Sequence, residues 1–440
     1  MLIRHGHVVA EGWWSPYTAQ RPHRLYSLSK SFTSTAAAFA AAEGLLDLDD
    51  TVVSHFPEFE ADITDAGSRA MRIRHIASMA SGHEEETVGR ALALDPNEPV
   101  RGFLLIPPDQ PPGTVFAYNQ PCTYTLGSIV QRNAGLSLTR YLAPRLFEPL
   151  GISGVGWQTL AGREQGYSGL HARTEDIARL GQLYLQRGRW GASQLIAESW
   201  VAQATSRQID NPNQTNPDWR QGYGFQFWMA RHGYRGDGAF GQFCVVLPEY
   251  DAVIATTAAT LEMQAVLNAM WRHLLPAFDR PPADAECQSR LELQLGELQL
   301  PACRAAAEPA DWEPWQAQPF SVVAGVGDPQ LQPTVTSVGV ERGRGGGLQI
   351  SLQEGDNRVS FGVGADGWRV STPVDAHGCA IPVAAAGGWA DPRTLHAEVI
   401  FLETPHRLEI TCTTSDRRAS VSWRLPPLGG ADLHELRNPV

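Results

Sequence analysis

The periodicity of this 440-residue chain changes abruptly near residue 280, and that change limits its architecture more than any other feature. Upstream, apolar residues recur mainly at helical spacing; downstream they alternate with period two. Leu28, Phe32 and Phe39 share one helical face, predicting a helix over 26–43 capped by Gly44. Similar patterns predict helices over 69–80, 122–133, 138–146, 173–186, 198–206 and 261–275. A hairpin is expected over 1–14, and strands over 224–230, 241–248 and 251–257, the first two joined by a Gly-rich turn. After Asp279-Arg280-Pro281-Pro282-Ala283-Asp284, six runs between 348 and 425 alternate and end at turn residues. The expected organisation is a first domain over 1–278, a linker over 279–286 and an all-β barrel or sandwich over 287–440.

Composition excludes several functions. Net charge is −12, which disfavours nucleic acid and anionic membrane surfaces as partners. No apolar run reaches membrane-spanning length. The N-terminus has no export signal, so a cytoplasmic location is favoured. The six cysteines form no CxxC pair and read as free thiols, although Cys287 and Cys303 are a conceivable disulfide.

Lysine and arginine total 35, and Lys30 is the only lysine. An arginine-rich bias replaces lysine wherever a permanent cation suffices, but not where the amine must lose its proton. Lys30 lies three residues after Ser27, on the same face of the predicted helix, within reach of the serine hydroxyl. That face continues through the small residues Ser34 and Ala37, and the pair suits a nucleophile with a local base. Pro112-Gly113-Thr114-Val115-Phe116-Ala117-Tyr118-Asn119-Gln120 delivers a tyrosine after a Pro-Gly turn, well placed to project into a cleft; alone, it reads rather as a core tyrosine with a capping Asn. Gly236-Asp237-Gly238-Ala239-Phe240-Gly241 offers small residues that let backbone N–H groups approach a ligand, or simply a tight hairpin.

In this order, these elements resemble the serine β-lactamase-like superfamily, which includes class C β-lactamases, penicillin-binding proteins, D-aminopeptidases and related esterases. The resemblance covers residues 1–278 and extends to Glu43–Asp50, Ser78–His83 and Phe147–Ile152. It implies an α+β fold: an antiparallel sheet flanked by helices, with an inserted helical lobe, followed here by the all-β module. It also implies Ser27 as nucleophile, Lys30 and Tyr118 as base and proton relay, and Gln120, Asp237, Gly238 and Ala239 around a small-molecule or peptide-like substrate. Neither metal nor organic cofactor is required. The alternative within the same fold is a penicillin-binding-type sensor or an inactive binding protein. Gln120 replaces the usual Asn of Tyr-x-Asn, and the Lys-Thr-Gly motif is absent, its best match being Asp237-Gly238-Ala239. An acidic residue there disfavours a substrate carboxylate, pointing to an ester or an amine-bearing amide rather than a β-lactam. Only 26 residues precede Ser27, fewer than the resemblance implies, so either a truncated chain or a late start is expected. Oligomeric state and the role of the β module stay open.

Two motifs read as decoys. Gly362–Gly367 matches GxGxxG but joins two strands and reads as a hairpin turn. His83-Glu84-Glu85-Glu86 lacks helical metal-ligand spacing and reads as a solvated loop.

Overall fold

The computed structural model describes residues 1–281, 284–303, 308–309, 311–323, 332–343 and 346–440. The chain divides into two compact units: residues 1–11 with 25–282, and residues 12–24 with 283–439.

The first unit is built on a six-stranded antiparallel sheet. Its order is Trp228–Met229, Tyr234–Gly238, Gln242–Leu247, Ala252–Thr256, Leu2–Arg4, His7–Ala10. The predicted hairpin over 1–14 therefore forms, and the helical region enters the sequence between the second and third strands. The Gln242–Leu247 strand is buried on both faces. Phe243, Val245 and Leu247 pack with Leu267, Met270 and Trp271 of the Met263–His273 helix. Cys244 and Val246 point oppositely, toward the helical core. The Thr174–Leu185 helix lies so close that a Cβ at Gly181 would stand 2.6 Å from Val253 Cγ1 and 2.8 Å from Cys244 Sγ.

The strands expected over 224–230 and 241–248 form only in part, and the glycine-rich segment between them is not a turn. Tyr234–Gly238 is an added strand, paired residue by residue with Gln242–Val246. The reversal is confined to Ala239-Phe240-Gly241, with Phe240 at φ +67° and Gly241 at φ +90°. The region predicted as one helix over 69–80 splits into Ala66–Ala70 and Ile73–Ala77, because extended backbone at Met71 and Arg72 interrupts it.

In the second unit, nine strands form one sheet in the order Asn357–Gly362, Leu348–Glu354, Ser337–Arg342, Phe320–Val322, Arg418–Trp423, Arg407–Thr413, Thr394–Phe401, Val383–Asp391, Arg369–Ser371. All neighbours are antiparallel except Phe320–Val322 with Arg418–Trp423. The two edge strands lie against each other: a Cβ at Gly362 would meet Arg369 Cζ at 2.6 Å. The sheet is thus a nearly closed barrel. The GxGxxG segment is no hairpin turn, since its flanking strands are opposite edges of the sheet. Gly364 instead exchanges backbone hydrogen bonds with Ala385 and Gly387, carrying the chain across the seam. Gly343–Gly347 is described only in part, residues 344 and 345 lying outside the described residues; the same holds for 282 and 283 of the expected linker. A helix, Ala285–Gly296, follows that point. Segment 12–24 runs along this unit, with Ser15 N–H donating to Leu298 O and Leu300 N–H to Ser15 O. All six cysteines are free. Among the described residues, no helix is long and apolar enough to cross a membrane.

Candidate active site

Ser27 sits in a single 3-10 turn, Tyr26–Leu28, that runs directly into the Ser29–Ala42 helix. The helix is buried on every side from Ser29 to Ala40, not only on its Leu28/Phe32/Phe39 face. Its hydroxyls are consumed internally: Ser31 donates to Gln226 O, Ser34 to Phe225 O and Thr33 to Gly166 O. Only its N-terminal turn is left to meet a substrate, and Ser27 there is partly exposed. Tyr26, just before it, has φ +51°, a left-handed conformation costly for a bulky side chain. The neighbouring strand explains how that backbone is held. A Cβ at Gly238 would lie 2.0 Å from Leu25 O, and one at Gly236 2.5 Å from Ser31 Oγ. Glycine is needed at both positions for close approach to the nucleophile turn. Ala239 follows, partly exposed, at the end of the strand.

Lys30 is buried, and its ammonium has three acceptors for three protons. Nζ donates to Gln120 Oε1 at 2.6 Å, to Tyr167 O at 2.9 Å and to Ser27 Oγ at 3.0 Å. Burial lowers its pKa to about 7, against the opposing charges of Glu86 and Asp237 and a smaller contribution from Cys122. Two of the three acceptors, an amide oxygen and a carbonyl, have no proton to return. When Nζ loses one proton, its two remaining N–H bonds stay with them. The lone pair then faces Ser27 Oγ, and the Ser27 contact is the one that can reverse.

Tyr118 reaches the same point from the loop before the Gln120–Ala134 helix. Its ring stacks on Trp228 at 5.2 Å, meets Tyr223 edge-on at 6.2 Å, and lies 4.7 Å from Lys30 Nζ. Burial, reinforced by the negative charge of Asp237, pushes the phenol above its ordinary pKa. Ser27 and Trp228 act on it as smaller influences that favour proton loss. These weaker lowering influences are outweighed, so Tyr118 stays a neutral phenol. Asn119 stands at the N-cap position of the Gln120–Ala134 helix but makes no cap. Its Oδ1 instead accepts from Thr87 N and Oγ1.

Asp237 is buried beside this group, but its charge is matched. Arg235, two residues earlier on the same strand face, places Nη2 3.0 Å from Asp237 Oδ2. Arg235 also donates to Asp218 O at 2.7 Å and lies over the Trp219 ring at 4.4 Å. The uncompensated repulsion of a substrate carboxylate expected from Asp237 therefore does not follow. Burial raises the Asp237 carboxyl pKa against the pull of Arg235.

The acidic loop after Gly82 is partly misread as simply solvated. His83 is buried, bonded to Ser81 Oγ at 3.0 Å and Ile106 O at 3.0 Å. Glu84 and Glu85 are exposed. The Glu86 carboxylate accepts from Gln120 N–H at 3.1 Å on each oxygen and from Val88 N–H at 3.0 Å. Gln120, Tyr167 O, Glu86 and Arg235 thus complete the surroundings of Lys30 and Asp237. Of these, Gln120 was among the expected site residues; nothing in the spacing signals a main-chain carbonyl such as Tyr167 O.

A family model described as beta-lactamase matches residues 1–276. The 6-aminohexanoate-dimer hydrolase of Paenarthrobacter ureafaciens is 22% identical over 277 residues, covering 58% of this chain and 70% of that protein. Monacolin J acid methylbutanoyltransferase of Aspergillus terreus is 28% identical over 160 residues, 31% of this chain and only 38% of that one. A Bacillus anthracis structure named for 6-aminohexanoate-dimer hydrolase superposes with TM-score 0.53 at 21% identity, covering 64% of this chain and 79% of its own. A Bacteroides dorei structure named as a beta-lactamase gives TM-score 0.50 at 16% identity, covering 59% and 85%. These likenesses show a shared fold, and the match over residues 1–276 makes this chain a member of the beta-lactamase family of serine hydrolases.

Proposed function

We propose that this chain cleaves an ester or amide through an acyl-enzyme on Ser27. The observation that carries the reading is the 3.0 Å contact between Ser27 Oγ and Lys30 Nζ, with the other two Nζ contacts made to acceptors that hold no proton. Neutral Lys30 takes the Ser27 proton as Oγ bonds to the substrate carbonyl carbon. The carbonyl π electrons move to oxygen, where the N–H groups of Ser27 and Ala239 would receive them; one such donor is typically worth about 3 kcal/mol. As the carbonyl reforms, the C–O or C–N bond to the leaving group breaks. The leaving group takes the phenolic proton of Tyr118, which is replenished from Lys30. Water then enters by the reverse route and releases the acid. Gly238 keeps the Ala239 edge close to Ser27, and Gln120 aims Lys30. We place this chemistry within residues 1–278 and assign none of it to the β module over 287–440.

The names of the relatives include a hydrolase and a methylbutanoyltransferase, and an acyl-enzyme on Ser27 could pass its acyl group to water or to another acceptor. Stopped-flow release of 4-nitrophenol from 4-nitrophenyl acetate tests the reading. The expected result is a burst followed by continued turnover, both absent in Ser27→Ala. One equivalent without turnover would indicate a sensor, and no release an inactive scaffold. Rates on a 4-nitrophenyl ester, a D-amino-acid anilide and a chromogenic cephalosporin then separate esterase, amidase and lactamase activity.

A further inference from the structure

Three hydroxyls of the Ser29–Ala42 helix anchor it to neighbouring segments, but that of Ser29 turns back on the nucleophile turn. The Ser29 side chain is buried. Its Oγ donates to Tyr26 O at 2.5 Å and accepts from Leu170 N–H at 3.1 Å. The Ser29 N–H reaches the same Tyr26 carbonyl. Leu170 O in turn accepts from Leu25 N–H at 2.8 Å. One residue of the Leu170–Ala172 strand therefore grips the chain on both sides of Ser27.

Tyr26 O and Ser27 N–H belong to one planar trans peptide unit, so they point in opposite directions and turn together. Fixing the carbonyl fixes the N–H, which is one of the two proposed donors to the substrate oxygen. A carbonyl that accepts a hydrogen bond also polarises its own peptide N–H, making it a better donor. The left-handed φ of +51° at Tyr26 gives that plane its direction, and a bulky side chain does not favour it unaided. Phe240, which follows the other proposed donor Ala239, is also left-handed at φ +67° and meets the Tyr26 ring edge-on at 5.2 Å. The two donor-bearing turns thus touch through residues that both hold strained backbone.

We propose that Ser29 is a positioning residue for oxyanion stabilisation, its hydroxyl holding the Tyr26–Ser27 peptide plane so that the Ser27 N–H faces the reacting carbonyl oxygen. This rests on the Ser27 acyl-enzyme reading and adds to it a residue that touches neither the substrate nor the transferred proton.

The test compares acylation of the full-length protein by 4-nitrophenyl acetate and by its thiono analogue, in which sulfur replaces the carbonyl oxygen. Sulfur is a larger and weaker acceptor, so the oxygen-to-sulfur rate ratio reads the contribution of the N–H donors and cancels general losses of activity. Removing one such donor costs about 10²–10³-fold and misaiming it costs less, so Ser29→Ala should lower the ratio about tenfold. Ser34→Ala removes a buried hydroxyl of the same helix together with its bond to Phe225 O, and should lower stability while leaving the ratio unchanged. Ser29→Cys keeps the side chain's shape with a weak donor, should lower the ratio in the same direction, and serves if Ser29→Ala fails to fold. A ratio unchanged in the Ser29 variants, or lowered equally in Ser34→Ala, overturns the proposal. A wild-type ratio near one with the acyl group on Ser27 also overturns it, and leaves the acyl-enzyme reading standing. If the oxygen ester does not acylate Ser27 in wild type, that reading has failed and the proposal falls with it.

Discussion

Replacing Lys30 with methionine should make the protein less pH-sensitive while removing its activity. The side chain is 1% exposed, and burial lowers its pKa from 10.5 to about 7. An unfolded lysine binds a proton below about pH 10.5, and the folded one only below about pH 7. Between those values the unfolded state holds more protons, so folding becomes more favourable as pH rises. At 1.36 kcal/mol per pH unit, the full penalty at pH 6 is about 5 kcal/mol. At pH 9.5 it has shrunk to roughly 1–2 kcal/mol. Wild type should therefore gain roughly 3 kcal/mol over Lys30→Met between pH 6 and pH 9.5. The absolute offset also includes the hydrogen bonds lost at Gln120 Oε1 and Tyr167 O, so the pH slope is the decisive quantity. Two units complicate whole-chain unfolding. Urea unfolding is best followed by mass-resolved labelling of Cys122, which is buried in the helix bearing Gln120. Comparing the proteins at each pH cancels the pH dependence of the label. Parallel stability curves would refute the argument, because a lysine solvated or fully charged in the fold gives no differential slope.

Three further substitutions probe the supports. Gly238→Ala puts a methyl 2.0 Å from Leu25 O and should displace the Ser27 turn, lowering kcat at least about tenfold and stability by about 1–3 kcal/mol; unchanged kinetics and melting would contradict the packing. Tyr118→Phe should preserve the melting temperature within a few degrees yet slow leaving-group departure about a hundredfold, read as a loss of kcat on an amide. Arg235→Met strands the buried Asp237 carboxylate and should cost about 3–5 kcal/mol, with much of the loss recovered in Arg235→Met/Asp237→Asn; equal melts for single and double variants would deny the pair.

What the sequence discloses here, and what it hides, follows from the range of the interactions. Ser27 and Lys30 are three residues apart on one turn, so local geometry suffices to join them. The strands of the β module alternate because each has a buried and an outward face, as in Arg407–Thr413. The Tyr234–Gly238 strand escaped because its glycines imitate a turn. They are small on account of Leu25 and Ser31, more than 200 residues earlier in the chain. Once that strand is recognised, the i, i+2 spacing of Arg235 and Asp237 places both on one face, and their pairing becomes readable. Segment 12–24 has no periodicity of its own, and its attachment to Leu298 and Leu300 is wholly tertiary. The raised pKa of Tyr118 reflects burial and the charges of Asp237 and Glu86, which spacing does not reveal.

The most direct test of the account is the rate of Ser27 acylation as a function of pH, measured in single turnovers by release of 4-nitrophenol, with mass spectrometry locating the adduct. The account predicts a rate that rises through pH 7 as Lys30 gives up its proton, an acyl group on the Ser27 peptide, and no acylation in Lys30→Arg, whose guanidinium keeps its proton. A rate flat between pH 5.5 and 8.5, an adduct elsewhere, or an active Lys30→Arg would contradict it.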